Sequence, residues 1–210
     1  MPHDPLIFAP DGSVTRLRAI MRALRDPDTG CPWDIEQDFA SIAPYTIEEA
    51  YEVADAIDQQ DWPALQGELG DLLLQVVYHA QIAEEAGHFA FADIARSISD
   101  KMVARHPHVF GDESREKSSA QQVQDWEMIK ASERAARAQG GVLDDVALGL
   151  PALMRAVKLQ KRAARVGFDW PDTAMVLDKI AEESAELVEA RDHLTHAQVT
   201  EEMGDLLFVM

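Results

Sequence analysis

The sequence predicts an all-α protein, a helical bundle built from two repeated units. Three observations point there: apolar residues recur at helical rather than strand spacing along most of the chain, helix caps punctuate that pattern, and a long segment of the first half recurs in the second. In chain order, helices are expected over 14–25, 46–60, 63–86, 90–104, 118–138, 149–166, 173–192 and 196–210. The first rests on apolar recurrence alone. In the second, Thr46 with Glu49 three residues on forms a capping box. The third opens on Asp61 as N-cap with Pro63 in the first turn, and Gly87 is expected to close it. The remaining five follow from apolar spacing. A long loop is expected at 26–45, around "GCPWD" and "APY", and a Gly- and Asp-containing break at 139–146. That break sets the expected organisation: a first domain over 1–138, a linker over 139–148 and a second domain over 149–210.

Composition narrows the function classes. The 210 residues carry 38 Asp plus Glu against 19 Lys plus Arg, a formal charge of −19, which argues against a partner gripped through a nucleic-acid groove. With 47% hydrophobic and 27% charged residues the chain can bury an ordinary globular core. Cys31 is the one cysteine, so no internal disulfide is expected. The opening "MPHDPLIFAPDG" lacks the basic segment and long apolar run of a secretory signal, and no apolar stretch is long enough to span a membrane. A soluble protein of the cytoplasm, with no membrane partner, is the expectation.

The repeat says more than any single helix. Residues 48–76 align without a gap onto 182–210 at an offset of 134, and Glu48, Glu49, Glu52, Glu68, Gly70, Asp71, Leu72 and Leu73 recur as Glu182, Glu183, Glu186, Glu202, Gly204, Asp205, Leu206 and Leu207. Upstream, "RAI" at 18–20, Gly30 and Trp33 match "RAV" at 155–157, Gly167 and Trp170 at an offset of 137. The three-residue difference falls in the loop before the acidic helix, where insertions are tolerated.

Each copy reads E-E-x-x-E, a spacer, then E-x-x-D. Residues three and four apart share a helix face, so Glu48, Glu49 and Glu52 lie together, as do Glu68 and Asp71 on the next helix. Plainer roles exist for some: Glu49 can close the capping box and Glu48 can favour the helix N-terminus. Asp71, however, precedes "LLLQVVYHAQIA", an almost all-round apolar helix, so its carboxylate is expected to point into a bundle interior. Gathered carboxylates repel one another and take up protons unless a cation neutralises them. Oxygen donors without His or Cys suit a hard cation, Mg²⁺ or Mn²⁺. A di-iron bundle would carry Glu-x-x-His, and neither Asp71 nor Asp205 is a histidine. Through such an ion a protein of charge −19 can bind phosphate.

These residues resemble the MazG nucleoside triphosphate pyrophosphohydrolases in their two-domain bacterial form. "GCPWDIEQ", "APYTIEEAYEV", "GELGDLLLQVV" and "SDKMVARHPHVFGD" carry the resemblance in the first half; "GFDWPD", "EESAE" and "EEMGDLLF" carry it in the second. The resemblance implies an all-α NTP pyrophosphatase fold, a homodimer in which two chains complete each bundle, and Mg²⁺-dependent hydrolysis of (d)NTPs to the monophosphate and pyrophosphate. It implies metal ligands Glu49, Glu52, Glu68 and Asp71 in the first copy and Glu183, Glu186, Glu202 and Asp205 in the second. Glu48 and Glu182 are the candidates for orienting or deprotonating water. Lys101 and Arg105 resemble the family's phosphate-contacting basic residues, and Lys179 resembles one used by the second domain. Trp33 and Trp170 are candidates for stacking on a base, with a core role as the alternative. His106 and His108 lack the further ligands a zinc site needs. The second copy stops at Met210, without counterparts of residues 77–110, so the first copy is expected to be the complete one and the apolar 206–210 to be unstable or partner-paired. The competing expectation is a catalytically idle helical module that dimerises or binds a regulatory partner.

Overall fold

The computed structural model describes residues 4–114, 116–136, 141–144 and 146–210, apart from the side chains of 134–136. Among these residues every regular element is a helix, with no strand. A short 3₁₀ turn at Pro5–Phe8 precedes α1 (Val14–Leu24), α2 (Pro32–Glu36), α3 (Phe39–Asp58), α4 (Trp62–Glu85), α5 (Phe91–Ala104), α6 (Pro107–Phe110), α7 (Ser119–Ala136), α8 (Ala152–Ala164), α9 (Thr173–His193) and α10 (His196–Val209). No helix among the described residues is long and apolar enough to cross a membrane. The chain divides into two compact units, Met1–Lys117 and Ser118–Met210. α7, assigned to the first domain on sequence grounds, groups with the second unit, where Glu127 lies 2.7 Å from Arg165. The linker expected over 139–148 lies in part outside the described residues.

In the first unit, α3 and α4 form the scaffold and α1 and α5 pack on α4. Met21, Ile42, Val77, Tyr78 and Ile82 are buried together, with Leu17, Leu74 and Phe91 against them. Arg25 locks the segment between α1 and α3 to this core. Its side chain is 7% exposed, it donates to the carbonyls of Asp34 and Gln37 and to the Glu85 carboxylate at 2.7 Å, and it lies over the Tyr78 ring. The Tyr78 hydroxyl reaches the Asp34 carbonyl at 3.0 Å. A buried guanidinium with several acceptors is satisfied here rather than stranded, which makes the contact stabilising.

Two expectations are corrected in α3. The loop expected at 26–45 contains α2 and the first turns of α3, which starts at Phe39 rather than at 46. The capping box is Asp38 with Ser41, not Thr46 with Glu49: Asp38 Oδ1 accepts from the Ser41 N–H at 2.8 Å and Ser41 Oγ from the Asp38 N–H at 2.9 Å. Pro44, whose missing N–H opposes a helix, sits inside α3 and is tolerated. Thr46, freed from capping, hydrogen-bonds His79 Nε2 at 3.0 Å. The expected start and stop of α4 stand. Asp61 accepts from the Ala64 N–H at 3.0 Å, and at the far end Gly87 has φ +72° while the His88 N–H reaches back to the Ala83 carbonyl.

The repeat is visible as structure. Asp38 and Asp172 cap α3 and α9, Asp61 and Thr195 cap α4 and α10, and the small Ala56 and Ala190 are both buried, each pair 134 residues apart. The three extra residues of the first copy lie between Trp33 and Asp38, where it forms α2 and the second copy makes only a bend.

Candidate metal centres

In each unit an antiparallel helix pair brings carboxylates together from both helices. In the first, Glu49 from α3 meets Glu68 and Asp71 from α4, with one oxygen of each within 4.8 Å of the others; in the second, Glu183 and Glu186 from α9 meet Glu202 from α10 on the same criterion. Helical spacing makes this possible: E-x-x-D and E-x-x-E put two carboxylates on one face, and the short turn after Ala56 or Ala190 aligns that face with its neighbour. Glu52 and Asp205, the fourth expected ligands, stand next to these trios. Glu52 acts on Glu49, and Asp205 on Glu202, through its charge.

The electrostatics are those of crowded anions. The Glu49 carboxyl is pushed up from the usual range, first by burial and then by the charges of Asp71, Glu52 and Glu68. Glu202 is pushed up likewise, by burial and then by Glu186, Asp205, Glu183 and Glu201. Glu183 is 5% exposed, and its Oε2 has no hydrogen-bond partner. A buried carboxylate oxygen without a donor is costly, and a cation at the trio would satisfy it. An all-oxygen donor set converging within one coordination sphere fits Mg²⁺ or Mn²⁺.

The remaining expected residues are distributed as follows. Glu48 and Glu182, each one residue before a member of a trio, are exposed. Glu182 pairs with Lys179 at 3.0 Å, and the same ammonium lies 2.7 Å from Glu183 Oε1. These two carboxylates hold the Lys179 ammonium charged far above its ordinary range. Lys101 is in the last turn of α5 and Arg105 is its C-cap residue, both half-buried, at the other end of the helix from Phe91. Trp33 and Trp170 are 52% and 45% exposed, so neither is a core residue of its unit, and Trp33 meets Tyr45 edge-on at 6.4 Å. His106 Nδ1 lies 2.6 Å from the Met102 carbonyl, a helix-end contact. Asp71 is corrected: it is exposed within the chain instead of enclosed by a bundle, because the adjoining face of α4, with Leu69, Leu73 and Val76, is itself exposed.

One polar stripe was missed from the sequence. Gln75, one turn beyond Asp71, is buried with an unpartnered Oε1, and His79, a further turn on, stacks on Phe39 and is pushed down in pKa by burial. The signal was present: Gln75 and His79 interrupt "LLLQVVYHAQIA" at a spacing of four. The second copy has Val209 at the place of Gln75 and Ile180 at that of Thr46.

Comparison with known proteins bears directly on these centres. Residues 37–110 match the MazG nucleotide pyrophosphohydrolase domain, and residues 150–210 match the phosphoribosyl-ATP pyrophosphohydrolase family. The chain is 57% identical to the nucleoside triphosphate pyrophosphohydrolase of Escherichia coli over 197 residues, covering 93% of this chain and 74% of that one. It is 45% identical to the nucleoside triphosphate pyrophosphohydrolase/pyrophosphatase MazG of Thermotoga maritima, over 91% of this chain and 71% of that one. To the nucleoside triphosphate pyrophosphohydrolase of Mycobacterium tuberculosis it is 41% identical, over 77% and 49%. With both carboxylate-bearing helix pairs inside the matched segments, the chain belongs to the MazG family of nucleoside triphosphate pyrophosphohydrolases.

Proposed function

We propose that this chain hydrolyses ribo- and deoxynucleoside triphosphates broadly, to the monophosphate and pyrophosphate, in a Mg²⁺-dependent reaction of cytoplasmic nucleotide housekeeping. The observation that carries the metal dependence is Glu183 Oε2, buried and unpartnered beside the oxygens of Glu186 and Glu202. Glu49, Glu52, Glu68 and Asp71 hold the ion in the first copy, and Glu183, Glu186, Glu202 and Asp205 hold it in the second. Mg²⁺, when bound, supplies positive charge for the triphosphate oxygens and acidifies water.

The chain's own groups do the rest. Glu48 and Glu182 are assigned to orienting the attacking water and taking its proton. The water oxygen bonds to the α-phosphorus as the bond from that phosphorus to the α,β-bridging oxygen breaks, and pyrophosphate leaves. Lys101, Arg105 and Lys179 are assigned to neutralising its charge, and Trp33 and Trp170 to stacking on the base. A homodimer is part of the proposal. Leu69, Leu73 and Val76 form an exposed apolar stripe on α4, the helix that carries Glu68 and Asp71. Gly70 and Gly204, mid-helix in both copies at a cost of about 1 kcal/mol each relative to Ala, adjoin open space in the chain, as expected where another backbone approaches.

The test is pyrophosphate release from a panel of (d)NTPs with and without Mg²⁺. Metal-dependent release from several nucleotides is expected, and Glu49→Gln combined with Glu183→Gln should lower it by about 100-fold. No release from any nucleotide, or an unchanged rate in the double variant, would favour the idle helical module instead. Release confined to one pyrimidine deoxynucleotide would replace broad housekeeping by a specific enzyme.

A further inference from the structure

The two carboxylate groups differ in one respect that the repeat would not lead one to expect. In the second, Lys179 Nζ spans Glu182 at 3.0 Å and Glu183 at 2.7 Å. In the first, the residue 134 positions earlier is Tyr45, which turns its ring to Trp33, and among the described residues no ion pair joins Glu49, Glu52, Glu68 or Asp71 to a basic side chain. The lysine has taken one oxygen of Glu183, the most buried carboxylate of its trio, and left the other unpartnered. A single ammonium cannot reach both sides of that carboxylate, so it neutralises the cluster only in part.

We propose that Lys179 is a built-in counter-cation of the second centre: it holds Glu183 Oε1, so a divalent ion entering on the open Oε2 meets a resident positive charge across the same carboxylate and pushes the lysine away, whereas loading the first centre displaces no side chain. The inference rests on the metal-binding reading above and deepens it. Lys179 sits one helical turn before Glu183, at an i,i+4 spacing from which the lysine reaches forward along its own helix to the carboxylate. It is half-buried and has a flexible four-carbon stem, so it can leave the carboxylates without unwinding α9. Once displaced, its charge is free for an anion at the same centre, which couples metal entry to phosphate capture in the second copy and not in the first. The two copies therefore differ in divalent affinity although their proposed ligands are the same residue types.

The experiment is calorimetric titration of the full chain with Mn²⁺, in a background carrying Glu49→Gln and Asp71→Asn so that only the second centre can load. Lys179→Gln should tighten Mn²⁺ binding by about tenfold, the size expected when charge-assisted hydrogen bonds to a carboxylate no longer compete. Lys179→Arg, which keeps the charge, should leave the affinity within about threefold of the parent. Reductive methylation read by mass spectrometry gives a second measurement without substitution at the lysine: Lys179 should react faster once Mn²⁺ is present. Mn²⁺ binding that is unchanged or weakened by Lys179→Gln, or Lys179 reactivity indifferent to Mn²⁺, overturns the proposal. Absence of Mn²⁺ binding in the parent and in both Lys179 variants overturns the metal reading itself, and the inference with it.

Discussion

The helix pairs α3–α4 and α9–α10 share their caps, their buried alanines and their carboxylate spacing, yet they rest on different surroundings. The first pair is backed by α1 and α5 and closes a core around Met21, Ile42, Val77, Tyr78 and Ile82. The second unit buries few side chains among its described residues, chiefly Val146, Glu183 and Ala190. Its charges differ too: among the described residues no ion pair offsets the crowding of the first acidic group, which pushes Glu49 toward its protonated form, whereas an internal ammonium pairs two carboxylates of the second. Duplication thus preserved the donor set and the helix geometry, while the means of making an acidic cluster tolerable diverged.

The largest expected difference concerns two arginines 137 residues apart. Arg25→Met should cost about 2–3 kcal/mol in urea unfolding of the full chain, since it removes a buried donor to two carbonyls and a carboxylate. Arg162→Met, which removes a hydrogen bond to the Asp144 carbonyl classed as exposed, should cost under about 1 kcal/mol. Equal effects would erase the contrast in packing. The duplicated glycines sharpen it next. A Cβ on Gly30 would lie 2.4 Å from the Leu24 carbonyl oxygen and 2.6 Å from that of Asp26, so Gly30→Ala should cost about 2 kcal/mol. Gly167 meets nothing but has φ +85°, so Gly167→Ala should cost about 1 kcal/mol through backbone strain.

The smallest effect is electrostatic. Glu49 and Glu202 have folded-state pKa values raised above the ordinary carboxyl range, so the folded state binds more protons than the unfolded state above that range. Their contribution to stability is therefore full below the unfolded pKa and lost as pH rises through the folded value. Metal-free protein should melt at lower temperature at pH 7 than at pH 5 from this source, and Mg²⁺ at ten times its Kd should return about 1.4 kcal/mol at pH 7. A melting temperature indifferent to Mg²⁺ at pH 7 would mark the acidic faces as structural.

Much of this was legible in residue spacing. The all-α class and the convergence of Glu49, Glu68 and Asp71 follow from periodicities of three and four, the repeat from self-alignment, and the caps at Asp61 and Gly87 from residue type. The start of α3 was hidden because Pro44 reads as a break, and the Asp38–Ser41 box that outweighs it lies in a stretch with little apolar rhythm. The exposure of Asp71 was hidden for another reason: an apolar helix face signals burial without saying which chain supplies the cover. The Lys179 ion pair is allowed by its spacing of three and four to Glu182 and Glu183, but its formation depends on a side-chain rotamer that spacing does not fix, and its first-copy counterpart Tyr45 gives no warning of it.

The central claim is that the two carboxylate groups are divalent-cation centres, and anomalous diffraction from crystals soaked in MnCl₂ tests it most directly. The account predicts two peaks, one among Glu49, Glu52, Glu68 and Asp71 and the other among Glu183, Glu186, Glu202 and Asp205. Mn²⁺ ordered elsewhere on the molecule, with neither group occupied, would contradict it.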